Sequence, residues 1–337
     1  MLSWHLESRE LHLRYTWKIA RNASDSKINL FVRVSEELLW GMGEAAPNIR
    51  YQETPEVLQK QFQDLLRQGL THVQSLAELQ DFLKFYPVAN SLRFAVESAY
   101  VHLLCAQQNI SVSQFLGIRF TARVPTIFTL PIMAPTLITN FIRENNLNRF
   151  QTLKVKVNQT DALALVQATA AVSTRPLIID GNEAWNNPEE VLVFLHQLKG
   201  LPVVFIEQPL PAYKTDEYRY LKKHSPYPVF ADESVTDQPD FSMLRDQFHG
   251  VNMKLMKAGG YLNGLRILQE TQAQGLLPMI GCMVETSLGI WSAMQLCAGI
   301  RYADLDGFLI LKEEPMGLVR EQDGDLIASD YFMVKHL

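Results

Sequence analysis

The feature that most restricts the fold of this chain is a regular alternation of apolar runs and helix-like segments beyond about residue 121. The apolar runs are short and rich in β-branched residues, and they occupy 124–130, 153–157, 176–180, 203–207, 228–232, 251–255, 277–285 and 303–308. Helical patterns such as DALALVQATAAV separate most of these runs. Strands and helices in alternation predict a parallel sheet covered by helices, and about eight strands favour a closed barrel.

An open, doubly wound sheet is the alternative architecture. Many such folds bind phosphate with a Gly-x-Gly-x-x-Gly turn after a strand. No predicted strand of this chain is followed by that turn, which favours the barrel.

The first third of the chain has a different pattern. Residues 5–15 and 27–35 alternate apolar and polar side chains, which predicts an antiparallel strand pair. The glycine-rich GMGEAAP at 41–47 predicts a turn. Residues 55–116 place apolar side chains three and four positions apart, as helices do. This part of the chain is therefore expected to be α+β.

Together these patterns predict an α/β protein with a (β/α)7β-type barrel at 121–311 that carries the active site. An α+β capping domain is expected at 1–120, completed by residues 312–337.

Composition and charge narrow the class of protein. Hydrophobic residues make up 47% and charged residues 20% of the chain, as in ordinary globular proteins. The net charge of −5 is spread along the chain, which argues against nucleic acid or an anionic membrane as a partner. No signal peptide, membrane span or disulfide framework is evident. We expect a cytoplasmic protein with a small-molecule substrate, and a homo-oligomer is compatible with the sequence.

Three successive predicted strands end in an acidic residue, namely Asp180, Glu207 and Asp232. The C-terminal ends of barrel strands share one rim, so these side chains should be neighbours. Crowded carboxylates repel each other unless a cation joins them, and oxygen ligands suit Mg²⁺ or Mn²⁺. We therefore predict a divalent metal site; the alternative is that each acid caps the following helix.

Lysines are expected to face the same rim. Lys154 and Lys156 lie two positions apart in LKVKV, so both should point into the barrel while the apolar residues face the helices. Like-charge crowding and a metal would lower the pKa of one lysine towards that of a working base. Lys254 ends a strand across the barrel and could approach the substrate from the opposite face. Lys257 competes for this role.

The last strand carries a further acidic pair. Asp304 and Asp306 are two positions apart, so both should point into the mouth of the barrel. They could bind a cationic group of the substrate, such as an ammonium. The alternative is a solvated turn before Gly307.

Six ordered motifs give the chain a family resemblance: LKVKV, IIDGNEAW, FIEQPL, ADES, NMKLMKAGG and GCMVETSLG. In this order and spacing they resemble the muconate-lactonising-enzyme subgroup of the enolase superfamily. The resemblance covers nearly the whole chain. Within the subgroup, Asp304-Leu305-Asp306 resembles the Asp-x-Asp signature of dipeptide epimerases, including L-Ala-D/L-Glu epimerase, in which the pair binds the α-ammonium of the dipeptide.

The resemblance implies roles for particular residues. It implies Mg²⁺ at the three acids named above, with Asn182 and Glu233 supporting them. It implies Lys156 and Lys254 as the acid/base pair, with Lys154 tuning Lys156. Arg21 corresponds to a position that could bind a glutamate side chain of the substrate, with an exposed loop charge as the alternative.

The function implied is that of an isomerase, a Mg²⁺-dependent epimerase of dipeptides. Two lysines would invert the α-carbon next to the C-terminal carboxylate by 1,1-proton transfer through an enolate. The alternatives on the same scaffold are o-succinylbenzoate synthase, N-acylamino-acid racemase and muconate cycloisomerase. A non-catalytic relative that only binds a ligand is a further alternative.

Overall fold

The computed structural model describes residues 1–18 and 23–329. Its strands are β1 (Ser3–Lys18), β2 (Ala23–Glu36), β3 (Leu39–Ala45), β4 (Arg123–Pro125), β5 (Ile127–Leu130), β6 (Thr152–Lys156), β7 (Leu177–Asp180), β8 (Val203–Glu207), β9 (Val229–Ala231), β10 (Gly250–Lys254), β11 (Leu277–Gly281), β12 (Tyr302–Asp304), β13 (Val319–Gln322) and β14 (Asp325–Ala328). Its helices are α1 (Pro55–Arg67), α2 (Leu76–Phe85), α3 (Asn90–Gln108), α4 (Val112–Phe115), α5 (Ile138–Glu144), α6 (Ala162–Val172), α7 (Pro188–Gln197), α8 (Thr215–His224), α9 (Phe241–Gln247), α10 (Leu255–Ala258), α11 (Tyr261–Ala273) and α12 (Ser287–Met294).

The N-terminal region is an antiparallel sheet in the order β1-β2-β3, packed on helices. The predicted strand pair is present, but the turn predicted at 41–47 is wrong, because Leu39–Ala45 forms the third strand. The glycines serve close packing instead. A Cβ atom on Gly41 would lie 2.1 Å from the carbonyl oxygen of Ala99 in α3. Glycine at this position therefore lets β3 lie directly against the helix.

The second region is an eight-stranded parallel barrel in the order β5 to β12. Helices follow the first seven strands and none follows the eighth before β13, which is the (β/α)7β arrangement predicted. Side-chain hydrogen bonds join the segments of β5 and β12, where the first and last strands meet to close the barrel. Thr126 Oγ1 accepts from the amide of Leu305 at 3.1 Å, and Thr129 Oγ1 donates to Asp304 at 3.1 Å. The fold-class prediction is confirmed.

Side chains that point into the barrel form two chemically different layers. At the base, five apolar residues pack as one cluster: Ile127, Ile178, Phe205, Phe230 and Met279. The rings of Phe205 and Phe230 stack with centroids 3.9 Å apart. Two residues further along the chain from four of these positions, the inward side chains are polar or charged, as period-two alternation allows: Thr129, Asp180, Glu207 and Asp232. The fifth position, on β11, is Gly281. The apolar layer closes the base, so the charged layer faces the C-terminal rim.

Residues 319–328 return to the base of the barrel. Strands β13 and β14 form a hairpin, and β14 pairs with β4. Leu13 of β1 forms an isolated bridge with Leu311. The assignment of 1–120 and 312–337 to one domain and of 121–311 to the other stays a prediction. Within the described residues, every helix is too short or too polar to cross a membrane. The cytoplasmic location also stays a prediction.

Candidate active site

A cavity of about 390 Å³ lies between the rim of the barrel and the capping sheet. Strand β2 contributes Lys27 and Asn29 to its wall, and the barrel contributes Lys156, Lys254 and Asp304. Its volume falls within the range of small-molecule sites. The two regions of the chain therefore form the wall of one site together.

Lys154 is at the centre of the charged layer. Its Nζ atom lies 3.0 Å from Asp180, 2.8 Å from Glu207 and 2.9 Å from Asp304. Burial opposes its protonation, but the carboxylates, Asp180 first, outweigh burial and raise the pKa of Lys154 well above its ordinary value. The expected lowering by like charge is therefore not found at this lysine, because its neighbours are anions.

Lys156 lies beside Lys154 on β6 and points to the same rim. Its Nζ atom donates to Asp180 Oδ2 at 2.7 Å and to Asn182 Oδ1 at 3.0 Å. Asn182 has a left-handed backbone with φ of 42°, a conformation that asparagine tolerates better than most residues. The sharp turn after β7 thus brings the side chain of Asn182 back to the lysine. Asn182 also donates to Glu233 at 3.5 Å, so the predicted supporting pair is in contact.

Lys254 lies on the other side of the barrel. Its Nζ atom donates to Asp232 Oδ2 at 2.8 Å, and burial is outweighed by Asp232, so the pKa of Lys254 is raised. Lys257, the competing candidate, is also buried, and its Nζ atom donates to Asp232 Oδ1 at 2.6 Å. Because Lys254 lines the cavity and Lys257 does not, the geometry favours Lys254 as the lysine that meets a substrate.

Burial and the neighbouring lysines shift the pKa values of these carboxylates, downwards for two of them and upwards for the third. Burial would raise the pKa of Asp180 and of Asp232, but the adjacent lysines outweigh it and hold both pKa values low. Burial, together with the charges of Asp180 and Asp232, raises the pKa of Glu207 to about 7. Glu207 also accepts a hydrogen bond from Asn252 Nδ2 at 2.7 Å. Glu207 is thus the least compensated of the three acids.

Carboxylate oxygens are suitable ligands for a divalent cation, although Asp180, Glu207 and Asp232 form ion pairs with lysines in this structure. Among the described residues, no three Asp, Glu, His or Cys side chains are arranged to hold a metal ion as placed. The charges nevertheless favour one. Six buried carboxylates share the site with four buried ammonium groups, which leaves an excess of two negative charges when all are ionised: Asp180, Glu207, Asp232, Glu233, Asp304 and Asp306 against Lys154, Lys156, Lys254 and Lys257. A divalent ion would balance this excess once the carboxylates turned to it.

The acidic pair of the last strand also points into the cavity, as its spacing predicted. Asp306 Oδ2 accepts from the amide of Thr129 at 2.6 Å. Burial, followed by the charge of Asp304, raises the pKa of Asp306 to about 7. A substrate cation would relieve this unfavourable charge. Arg21 lies outside the described residues, so its role stays a prediction.

Glu44 and Glu285 form a buried acid pair close to the cavity; from the sequence, either could support the site or be simply structural. Glu44 on β3 accepts from the amide and hydroxyl of Thr286 at 2.9 and 2.7 Å, and from the amide of Gly289 at 3.0 Å. It thereby holds the start of α12 against the capping sheet. Burial, followed by the charge of Glu44, raises the pKa of Glu285 to about 8. Each acid is isolated in its own segment of the sequence, so the contact between these two distant segments could not be predicted.

The cavity lies at the C-terminal rim of a parallel barrel, where barrel enzymes have their active sites. Its carboxylates, Lys154, Lys156 and Lys254 come from the barrel, and the capping sheet completes its wall, so the fold and the site are those of a barrel enzyme with a capping region. The family profile described as "Enolase C-terminal domain-like" matches residues 139–316, just over half of the chain. The chain therefore belongs to the enolase superfamily.

Curated relatives match over most of the chain. An L-Ala-D/L-Glu epimerase from Escherichia coli (strain K12) is 32% identical over 315 residues, which cover 92% of this chain and 94% of the relative. An N-acetyl-D-glutamate racemase from a Pseudoalteromonas species is 32% identical over 289 residues, covering 84% and 88%. These relatives are isomerases, the enzyme class expected from the sequence.

Solved structures share the whole fold. An enolase family member from Agrobacterium tumefaciens with homology to dipeptide epimerases, containing sodium and L-Ala-L-Glu, matches with a TM-score of 0.89 at 27% identity, covering 98% of both chains. A dipeptide epimerase from Enterococcus faecalis V583, complexed with Mg and L-Leu-L-Tyr, matches with a TM-score of 0.87 at 26% identity, covering 97% of this chain and 96% of the other.

Proposed function

We propose that this protein is a dipeptide epimerase that inverts the α-carbon next to the C-terminal carboxylate by proton transfer between two lysines. The observation that carries the proposal is the placement of Lys156 and Lys254. Their strands, β6 and β10, are four positions apart in an eight-stranded barrel, so they lie on opposite sides. Both side chains line the same cavity. A flat intermediate bound between them would be open to protonation on either face.

Asp304 and Asp306 distinguish dipeptides from other substrates. A free dipeptide has an α-ammonium group, whereas an N-acylated amino acid does not. Two buried carboxylates at one end of the cavity would bind that ammonium and orient the substrate. This orientation would place the second α-carbon between the two lysines.

The reaction requires the lysines to be in opposite protonation states. The neutral amine removes the α-proton, and the opposite ammonium returns a proton to the other face, which inverts the centre. The two lysines then exchange states, and the reverse reaction restores them. Lys154, held by three carboxylates, would stay protonated and contribute fixed positive charge beside Lys156.

We further propose Asp180, Glu207 and Asp232 as ligands of Mg²⁺, with Asn182 and Glu233 positioning them. The excess of negative charge in the cluster and the relative crystallised with Mg support this ion. Mg²⁺ held there would supply positive charge that stabilises an enolate and lowers the pKa values of nearby lysines. Removal of divalent ions with a chelator should abolish turnover, and added Mg²⁺ should restore it; Mn²⁺ serves as the comparison ion. Full activity in the chelator would contradict the metal assignment.

The proposal is tested by following α-proton exchange and epimerisation of dipeptides in D₂O by NMR. Lys156→Ala and Lys254→Ala should each abolish epimerisation. Each should still exchange the α-proton of one diastereomer, through the lysine that remains, and the two variants should retain opposite ones. Lys60→Ala, which removes an exposed lysine of α1, is the matched control. Near-normal epimerisation in either active-site variant would refute the two-lysine scheme.

The second candidate is racemisation of N-acylated amino acids, which the similarity to the N-acetyl-D-glutamate racemase favours. Asp304→Asn separates the two. If dipeptides are the substrates, this variant should lose most turnover of a free dipeptide. Equal turnover by wild type and Asp304→Asn, with an N-acetylated amino acid as the better substrate, would favour the racemase.

A further inference from the structure

A salt bridge joins the capping region to the rim of the barrel. Arg50 lies in a short 3-10 helix (Ile49–Tyr51) that follows β3, and its guanidinium meets the carboxylate of Glu183, which follows β7. Nε donates to Oε2 and Nη2 donates to Oε1, both at 2.9 Å. The side chain of Glu183 is 8% exposed and that of Arg50 is 34% exposed. Two parallel hydrogen bonds of this kind fix the direction of both side chains as well as their distance.

Glu183 belongs to a turn with an unusual backbone. Asn182 and Glu183 both lie in the left-handed region, with φ of 42° and 62°. Residues other than glycine rarely adopt this conformation, and it persists where the surroundings fix it. On the barrel side, the amide of Glu183 donates to the carbonyl of Gln208 at 2.8 Å, and its Oε1 atom accepts from the amide of Ala212 at 2.9 Å. Arg50 adds two contacts from the capping side.

The same turn carries the side chain that contacts Lys156. Asn182 Oδ1 accepts from Lys156 Nζ at 3.0 Å. Asn182 precedes Glu183 directly, so a movement of the turn that displaces one side chain also displaces the other. Lys254 instead donates to Asp232, which follows β9, so its position depends on another part of the rim. The salt bridge is therefore linked to the lysine on one side of the cavity.

We propose that Arg50 is a positioning residue for Lys156: by binding Glu183, it holds the turn that directs Asn182 to the Nζ atom of that lysine. The capping region thereby influences proton transfer on the face of the substrate that Lys156 serves. This inference rests on the proposed two-lysine reaction and adds a residue to it. Loss of Arg50 should consequently affect the two faces unequally.

The experiment measures α-proton exchange in D₂O by NMR in two parent variants. Both diastereomers of the dipeptide that the wild type turns over best are used at saturating concentration. In Lys254→Ala the exchange depends on Lys156, and in Lys156→Ala it depends on Lys254. Arg50→Met added to Lys254→Ala should lower the exchange rate about tenfold or more, because a small displacement of a base is costly. Added to Lys156→Ala, it should lower the rate by less than about twofold.

Variants of the partner residue test whether the salt bridge is responsible. Glu183→Gln removes the charge and one acceptor oxygen, and it should lower the rate in the Lys254→Ala parent as Arg50→Met does. The two changes together should cost less than the product of their separate effects, since both act on the same contact. Arg50→Lys keeps the charge but cannot form the paired hydrogen bonds, so it should lose less than Arg50→Met.

Two further variants test the path to Lys156 and the specificity of the effect. Asn182→Gly removes the amide and tolerates the left-handed backbone, so Arg50→Met should have little further effect in that background. Arg149→Met is the matched control. Arg149 forms the same pair of hydrogen bonds with Glu321 of β13, at 3.0 and 2.9 Å, and its loss should leave both exchange rates unchanged.

The outcomes separate this inference from the function on which it rests. Equal losses in the two parents would show that Arg50 acts on the whole site, as by holding Tyr51 in the cavity wall, and would overturn the positioning role while leaving the epimerase standing. No loss in either parent would do the same. Absence of exchange in both parents would overturn the two-lysine reaction and this inference with it. A loss in the Lys254→Ala parent alone, which Asn182→Gly removes, supports the proposal.

Thermal unfolding of every variant shows whether the fold is retained. If Arg50→Met does not fold, Glu183→Gln and Arg50→Lys provide the same comparison between the two parents, with the same outcomes for and against the role of Arg50.

Discussion

Replacement of Glu285 by glutamine should stabilise the protein at alkaline pH. Glu285 is buried, and its Oε1 atom accepts from the amide of Met283 at 2.7 Å, a bond that a glutamine retains. Burial and the neighbouring Glu44 raise the pKa of Glu285 from an ordinary value of 4.5 to about 8. The folded protein therefore holds this proton more tightly than the unfolded chain does.

The sign of the effect follows from linkage. The stabilisation from the bound proton is complete below about pH 4.5 and is lost as the pH rises to about 8. The difference between the two pKa values corresponds to about 5 kcal/mol at most, since one unit is about 1.4 kcal/mol. Entry of water and movement of the carboxylate would reduce this, so we expect a relative gain of about 2 kcal/mol for Glu285→Gln between pH 5 and pH 9.

The assay is urea unfolding of wild type and variant at both pH values. Glu270→Gln is the control, because Glu270 is an exposed residue of α11, and its difference from wild type should not change with pH. If the free-energy difference between wild type and Glu285→Gln is the same at pH 5 and pH 9, the pKa of Glu285 is not raised and the reasoning fails.

Three further substitutions test packing and buried hydrogen bonds by urea unfolding, and a fourth, Gly117→Ala, is the control for Gly41→Ala. Phe230→Ala should cost about 3–5 kcal/mol, because it opens a cavity in the base of the barrel; a loss below about 1 kcal/mol would contradict this. Gly41→Ala should cost about 2 kcal/mol or more, because its Cβ atom would overlap the Ala99 carbonyl. Gly117→Ala, with φ of 66° and open space around it, should cost only about 1 kcal/mol of strain, and equal losses would refute the packing argument. Tyr218→Phe should cost about 2 kcal/mol, because the hydroxyl accepts two buried hydrogen bonds; an unchanged midpoint would show that these donors find other partners.

The sequence was most informative where one rule governed many residues. Barrel strands alternate in and out, and their ends share a rim, so the placement of Lys154, Lys156 and Asp180 could be predicted without coordinates. The rule does not reach Lys257, because the chain turns into α10 immediately after Lys254. Lys257 therefore returns to Asp232, which Lys254 also contacts.

Contacts between the two regions could not be predicted from local patterns. Lys27 had only the pattern of a strand residue, and nothing in its neighbourhood indicated that its face of β2 lies over the barrel. Glu44 lay in a segment predicted to be a turn, whereas its hydrogen bonds reach residues 242 and 245 positions later. Such pairs depend on how the capping sheet docks, which a single sequence does not encode in its periodicity.

Because the chain is synthesised from its N-terminus, the barrel can close only after its last strand has been made. Lys154 contacts Asp304, which follows it by 150 positions, and Thr129 bonds to Asp306 across 177 positions. During translation, β5 and β6 emerge long before the strand that completes their ring. A nascent chain halted before residue 304 would leave β5 paired only with β6, without β12 on its other side, and would leave the site without its last acidic strand. Assembly of the charged layer therefore has to wait until the chain has been made as far as Asp306.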